Sequence, residues 1–405
     1  MKKTLAALAV LGAFAGTTAA ADVTLYGDID TGFAYTHTDV QNYKSANDVD
    51  AKNNFEMVNG INSASKFGLK SVEDLGNGFK VGFKLENGFE ADDGTLSMEN
   101  RLFGREATLS VYSDFGTVSF GRMGALGAAT GSYDVVYGIG DAFDGGDEYA
   151  LGFAQTGRLD NALVYQTPEF AGLQATLQYS FKVDNSVTDV NGITADEGES
   201  TADRYFGAAV TGTYGPAQFV AAYELTKYST AYRADDYQRD DAQIVYAGAN
   251  YDFGVAKVFA MGQYFTGLNK FAGLSELEST AFDGAFKSEK GWTGYSLHAG
   301  TIVPVAEGEL TVGVYYSDAE AKDFQTINGL TVDNYKGDYI GVAARYAYPL
   351  SKRTTVYVGG SYSEATVDMP TYTTAADGVS HAAAGIDQDG KEKIAAAYVG
   401  IAHHF

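Results

Sequence analysis

The stretch Phe79-Lys80-Val81-Gly82-Phe83-Lys84-Leu85-Glu86 alternates strictly, so an extended chain puts Phe79, Val81, Phe83 and Leu85 on one face and Lys80, Gly82, Lys84 and Glu86 on the other. The same period of two runs through residues 23–36, 63–74, 172–181, 205–214, 218–227, 354–366 and 394–405. Soluble β-sandwiches alternate as well, but their turns recur at similar spacing at both ends. Here the connections are unequal. Tight turns are predicted at 74–78, 114–116, 168–172, 214–217, 252–254, 304–308 and 349–352, and long polar stretches at 37–62, 91–101, 123–157, 183–202, 228–241, 268–291, 321–337 and 367–392. The two kinds alternate, which predicts sixteen strands with both termini on the short-turn side.

No window after the amino terminus holds about 18 uninterrupted apolar residues, so a membrane role is open only to a sheet closed on itself, since lipid offers an unpaired strand edge no partner. The even strand count fits such closure. The predicted class is all-β: a 16-stranded antiparallel transmembrane β-barrel with short periplasmic turns, long external loops and an inward-folded third loop. Met1-Lys2-Lys3, the apolar run from Leu5 to Gly16 and Ala19-Ala20-Ala21 read as a cleaved secretory signal over residues 1–21, leaving 22–405 as the barrel domain.

Composition sharpens this picture. The 49 glycines, 29 tyrosines and 24 phenylalanines favour strands and tight turns, and of the 5 prolines only Pro370 lies outside a predicted tight turn, as expected where ladder positions need an amide hydrogen. The absence of cysteine excludes disulfides and thiolate metal sites. With Lys+Arg 28 against Asp+Glu 52 the formal charge is −24, which argues against a nucleic-acid partner.

Candidate chemistry is sparse. His37, His298, His381, His403 and His404 show no metal-ligand spacing, and no nucleophile elbow or phosphate loop occurs, so neither an enzyme nor a cofactor is expected. Loop acids such as Asp92-Asp93, Asp147-Glu148 and Asp235-Asp236 read as solvated charge, without the register of a calcium loop. The stretch Met123–Gly157 differs from the other loops in its Ala, Gly and Val content, which suits a segment packed on an inner wall and predicts that it narrows the lumen. Alternation turns Lys66, Lys70, Lys80 and Lys84 to the same interior, because a charge facing lipid near the midplane would cost roughly 2–4 kcal/mol. Arg105 shares parity with Ala107, Leu109 and Val111, so it faces inward only if a bulge near Gly104 resets the phase; otherwise it lies at a mouth or a subunit contact.

Several words in the chain carry a family resemblance: Asp22-Val23-Thr24-Leu25-Tyr26-Gly27, Ser65-Lys66-Phe67-Gly68-Leu69-Lys70, Asp114-Phe115-Gly116-Thr117-Val118-Ser119-Phe120-Gly121-Arg122, Arg158-Leu159-Asp160-Asn161 and the ending Val399-Gly400-Ile401-Ala402-His403-His404-Phe405. In these the chain resembles the Gram-negative general porins of the betaproteobacterial and neisserial type, most densely over residues 22–122. The resemblance implies an outer-membrane homotrimer in contact with lipid and lipopolysaccharide. It implies passive diffusion of ions and small hydrophilic solutes, with a constriction where a basic cluster faces acids on the third loop. The matching basic positions are Lys66, Arg105 and Arg158; the acidic ones are Asp134, Asp141 and Asp144. Phe405 resembles the terminal signal read by the barrel-assembly machinery. Phe143-Asp144-Gly145-Gly146 departs from the Pro-Glu-Phe-Gly often found at this place. A substrate-specific uptake channel is the competing expectation; inward tyrosines such as Tyr26 exist but form no evident sugar slide. A barrel serving adhesion or tethering is the third.

Overall fold

A computed structural model of the chain describes residues 22–41, 49–98, 101–190, 192–231, 240–268, 290–321, 330–332, 335–368, 371–374, 380–382 and 390–405. The expected signal segment, residues 1–21, lies outside them. The first third contains β1 (Thr24–Gln41), β2 (Val49–Asn59), β3 (Lys66–Gly76), β4 (Phe79–Gly88), β5 (Glu106–Ser113), β6 (Gly116–Gly124) and one helical turn, α1 (Tyr137–Gly140). There follow β7 (Arg158–Gln166), β8 (Leu173–Ser180), the two-residue β9 (Asp189–Val190) and β10 (Ile193–Thr194), β11 (Arg204–Tyr214), β12 (Ala217–Lys227), β13 (Ala242–Asp252) and β14 (Lys257–Leu268). The chain continues through β15 (Trp292–Val305), β16 (Gly308–Ala321), β17 (Leu330–Val332), β18 (Tyr335–Ser351), β19 (Thr354–Asp368), β20 (Thr371–Thr374), β21 (Ser380–Ala382) and β22 (Gly390–His404).

Each long strand pairs antiparallel with its chain neighbours, and β22 pairs with β1 from Asp28↔His404 to Gln41↔Lys391, which closes the sheet. Closure follows from the medium: every backbone amide that meets lipid needs a strand beside it. The sheet has 17 segments but sixteen staves, because β2 and β3 share one stave: β2 pairs with the upper part of β1 (Thr31↔Asn59) and β3 with the lower part (Thr24↔Lys70). Residues 60–65 interrupt that stave. They fold over the buried Asp30, whose Oδ2 accepts from the amides of Asn62 (2.9 Å) and Ser63 (2.6 Å) while its own amide donates to Ser65 Oγ (3.0 Å).

All seven tight turns fall where the sequence predicts them. The long stretches are shorter as loops than expected: 37–41 and 49–59, read from sequence as loop, form a hairpin that carries β1 and β2 on, with His37 opposite Asn53. The hairpin escapes a hydrophobic-pattern search because its residues, such as Lys52-Asn53-Asn54, are polar on both faces.

One parity of positions faces outward and stays exposed, as in Leu25, Ile29, Phe33, Leu109, Leu177, Val210, Leu297 and Val314. Such a continuous apolar surface is tolerable only against acyl chains. Aromatic residues gather at its rims. Phe115, Phe170 and Phe253 sit at the short turns; Tyr264, Tyr295 and Tyr316 sit toward the long loops. From Tyr295 to Val305 the strand rises about 25 Å along the membrane normal, taking about 3.3 Å per residue and a tilt of about 40°.

The opposite parity faces the interior. On β11 to β22 this wall carries large buried side chains, among them Ile244, Tyr246, Met261, Phe265, Tyr315 and Tyr339. They pack on Leu126, Val136, Tyr137, Phe143 and Phe153 of the third loop. The main apolar core of the described residues therefore lies inside the barrel, between the loop and one side of the wall.

Candidate functional site

The third loop leaves β6 at Gly124 and circles the inside of the barrel along a ladder of inward polar residues. Gln178 on β8 donates to the Gly124 carbonyl (2.9 Å), and Glu224 on β12 accepts from the Gly127 amide (2.8 Å) and from Thr156 Oγ1 (2.5 Å). Asn250 on β13 donates to the Ile139 carbonyl (2.9 Å). On β15, the Nδ1–H of His298 points at the Val314 carbonyl (3.1 Å), leaving Nε2 to accept from the Ala142 amide (3.3 Å). Arg345 on β18 donates to the Gly145 carbonyl (2.6 Å) and Tyr398 on β22 to the Gly146 carbonyl (2.5 Å). Gly341 lies under the Ala150 carbonyl so closely that a Cβ there would collide with it. Inward glycine is what lets the loop backbone lie flat on the wall.

Because the loop hugs β8 to β22, the free passage runs along the wall of β1 and β3 to β6. Above it is a space of about 390 Å³ lined by residues including Asn59, Ser65, Glu90, Arg105, Gly146 and Glu148. Below is one of about 290 Å³ lined by residues including Asp22, Lys70, Lys84, Glu106, Ser132 and Tyr133. A charged group stands between them. Glu86 accepts from Arg105 Nε (2.8 Å) and Tyr26 OH (2.9 Å), and Glu106 accepts from Lys84 Nζ (2.9 Å) and from Ser132 Oγ of the loop (2.8 Å). Both carboxylates are buried, and the two cations cover them.

The residues expected from sequence divide as follows. Lys66, Lys84, Arg105 and Arg158 stand on the wall facing the passage or the start of the loop: Lys66 is ion-paired with Asp28, and Arg158 donates to Thr130 Oγ1 (2.9 Å) and the Arg105 carbonyl (3.1 Å). Arg105 reaches inward because it and Glu106 both stand opposite Glu86: the Arg105 amide donates to the Glu86 carbonyl (3.2 Å) while Glu106 is the register partner of Glu86. That local irregularity is the bulge alternative raised by the sequence. Lys70 is exposed with its Nζ 5.0 Å above the Tyr26 ring, and Lys80 lines the periplasmic mouth with Asp114. Phe405 exchanges backbone hydrogen bonds with Gly27 across the barrel seam (2.9 and 3.1 Å).

The loop acids are arranged differently from a row facing that wall. Asp134 accepts from the Tyr137 amide at the start of α1 (3.1 Å), and burial pushes its carboxyl up to about 7. Asp141 is buried against β15 and β16 and shares the Tyr315 hydroxyl (3.0 Å) with Asp147 (2.8 Å). The hydroxyl is shared between the two carboxyls, and burial raises the affinity of both for protons above that of a free aspartate. Asp144 is exposed, and its partner is Arg345 (2.7 Å). Among the described residues no ion pair joins these acids to Lys66, Lys84, Arg105 or Arg158.

Sequence reasoning missed Asp28, Glu86, Glu106, Glu224 and Arg345. The parity that exposed the lysines applied equally to Glu86, which follows Lys84 by two, and the strand-entry position of Glu106 was visible as well. Among the described residues no group of three or more His, Asp or Glu is placed to hold a metal ion.

The Gram-negative porin family pattern matches residues 6–368. An outer membrane porin of Bordetella pertussis is 33% identical over 387 residues, covering 90% of this chain and 94% of its own. Outer membrane porin protein 32 of Delftia acidovorans is 35% identical over 269 residues, 65% of this chain and 69% of its own. Among solved structures, the anion-selective porin from Comamonas acidovorans superposes with a TM-score of 0.61 at 25% identity, over 95% of this chain and all of that one. A closed sheet with acyl-facing residues outside and a polar passage inside thus has its match across nearly the whole length: the chain belongs to the Gram-negative porin family and, as a member of it, is a passive diffusion channel of the outer membrane, not an enzyme.

Proposed function

We propose that the eyelet of this channel is the opening between the third loop and the wall of β1 and β3 to β6, lined by Lys66, Lys84, Arg105 and Arg158, with Lys70 and Lys80 marking its periplasmic exit. The loop carboxylates Asp134, Asp141 and Asp144 belong to this eyelet through the loop they hold: Asp134 and Asp141 fix its path, and Asp144 presents charge to the lumen. The observation that carries the reading is the docking of the loop on the opposite side, from β8 to β22, which leaves one charged passage. Charges fixed across such a passage order water and disfavour apolar solutes that cannot replace that hydration, so selection is by size and polarity.

The chain works as a homotrimer embedded in outer-membrane lipid and lipopolysaccharide, after removal of residues 1–21 and insertion guided by Phe405; the resemblance in sequence supports these steps. Liposome swelling tests the reading. Rates indifferent to sugar identity and falling steeply with solute mass are expected, with closures in three equal steps in planar bilayers. Saturable block by one sugar would favour the substrate-specific alternative.

A further inference from the structure

An ion at the eyelet responds to the sum of fixed charges within about a Debye length, 8–10 Å, and to their pairing, since a cation held against its counter-ion presents a dipole whose field fades faster than that of a lone charge. Six basic residues on this side would make an anion filter if they were unpaired. Three of them, Lys66, Lys84 and Arg105, are ion-paired. Glu86 and Glu106 lie directly behind Lys84 and Arg105, at 2.8–3.5 Å, and Asp28 is paired with Lys66. Arg345, the remaining inward arginine near the loop tip, is taken by Asp144 at 2.7 Å.

The approach from outside adds negative charge. Glu90 and Glu148 line the upper space with Arg105, and among the described residues neither lies within ion-pair distance of a lysine or arginine. On the other side of the balance, Arg158 meets only Thr130 and a carbonyl, while Lys70 shares the lower space with Asp22. The groups nearest the eyelet therefore sum close to zero, in a chain whose formal charge is −24.

On the reading of this chain as an open diffusion pore, we propose that Glu86 and Glu106 are its selectivity-determining residues: by neutralising Lys84 and Arg105 they cancel the anion-attracting field of the eyelet, so that the pore favours cations. The related Comamonas acidovorans porin is anion-selective, and its preference does not carry over to this chain.

The test is the zero-current potential of the purified full-length barrel in a planar bilayer across a tenfold KCl gradient. The native pore is expected to pass K⁺ at least twofold better than Cl⁻. Glu86→Gln with Glu106→Gln should move the permeability ratio at least threefold toward Cl⁻, and Lys84→Met should move it the other way. Because both glutamates are buried, folding of each variant is checked by heat-modifiable mobility, and Glu90→Gln with Glu148→Gln, at more open positions, gives an independent arm that should lower K⁺ preference. A conducting native pore that prefers Cl⁻, or folded variants with the native ratio, would overturn the proposal and leave the channel reading intact. No conductance from any folded form would overturn both.

Discussion

Tyr315 shows at the scale of one residue how the channel's narrow part is held. Its hydroxyl lies between the carboxyls of Asp141 and Asp147, with the imidazole of His298 stacked 4.4 Å from its ring. The phenol is placed to donate to either carboxyl and so ties both loop acids to β16. Tyr315→Phe removes both interactions at a buried site and should weaken loop docking by about 1–3 kcal/mol. Asp147→Asn in the same background should restore part of the loss, because an amide can donate to Asp141. Open-channel current noise, rising in the first variant and falling again in the second, checks this. The cationic side chains obey a similar economy: Lys84 and Arg105 can face the lumen because Glu86 and Glu106 back them, and a glutamate left there without its cation would be a buried unpaired charge.

The third loop is the element that turns an open cylinder into a sieve. Its contact with Gly341 leaves no room for a methyl group, and the obstructing atom is the backbone oxygen of Ala150. Gly341→Ala should therefore push the loop toward the free passage, lowering single-channel conductance, at a cost of about 1–3 kcal/mol. Docking should also depend on pH. Asp134, raised to about 7, and the Asp141–Asp147 pair, raised by burial, bind protons more tightly with the loop docked than in an unfolded chain, where an aspartate titrates near 3.9. Their contribution is complete below about pH 4 and is lost as pH rises through about 7. The chain has no cysteine, so one spin label at Gly138, a position open to the lumen, can report it. The label should be less mobile at pH 5 than at pH 8; equal mobility would mean that the loop acids do not set docking.

On the scale of the molecule, two solvents decide which residue goes where. Val81 and Phe83 face lipid while Lys80 and Lys84, their strand neighbours, face the lumen. Leu109→Arg, at the exposed outer position opposite Phe83 midway along β5, should cost about 2–4 kcal/mol, whereas Lys80→Arg should be close to neutral. Urea unfolding of the barrel in lipid vesicles measures the difference, and equal costs would contradict the assignment of the two faces. The barrel also explains how a chain with a large excess of acids tolerates a basic wall: the counter-charges arrive from neighbouring strands, as with Asp28 of β1 beside Lys66 of β3.

Strand number, the turns and the two faces were legible in the chain alone, because they are local. A period of two separates acyl-facing from water-facing positions residue by residue, and lipid then compels the strands to close. The unusual composition of residues 123–157 pointed to an inner wall for the same reason, since a segment must match the surface it rests on. Contacts between distant segments were not legible. Asp144 and Arg345 meet across 201 residues of sequence, and residues 60–65, whose fold over Asp30 brings Asn62 to Arg345, read merely as the end of a polar loop and the start of a strand. Parity says that a lysine points into the lumen but not which carboxylate waits beside it. That depends on register between strands and on the path of the docked loop, which only closure of the barrel decides.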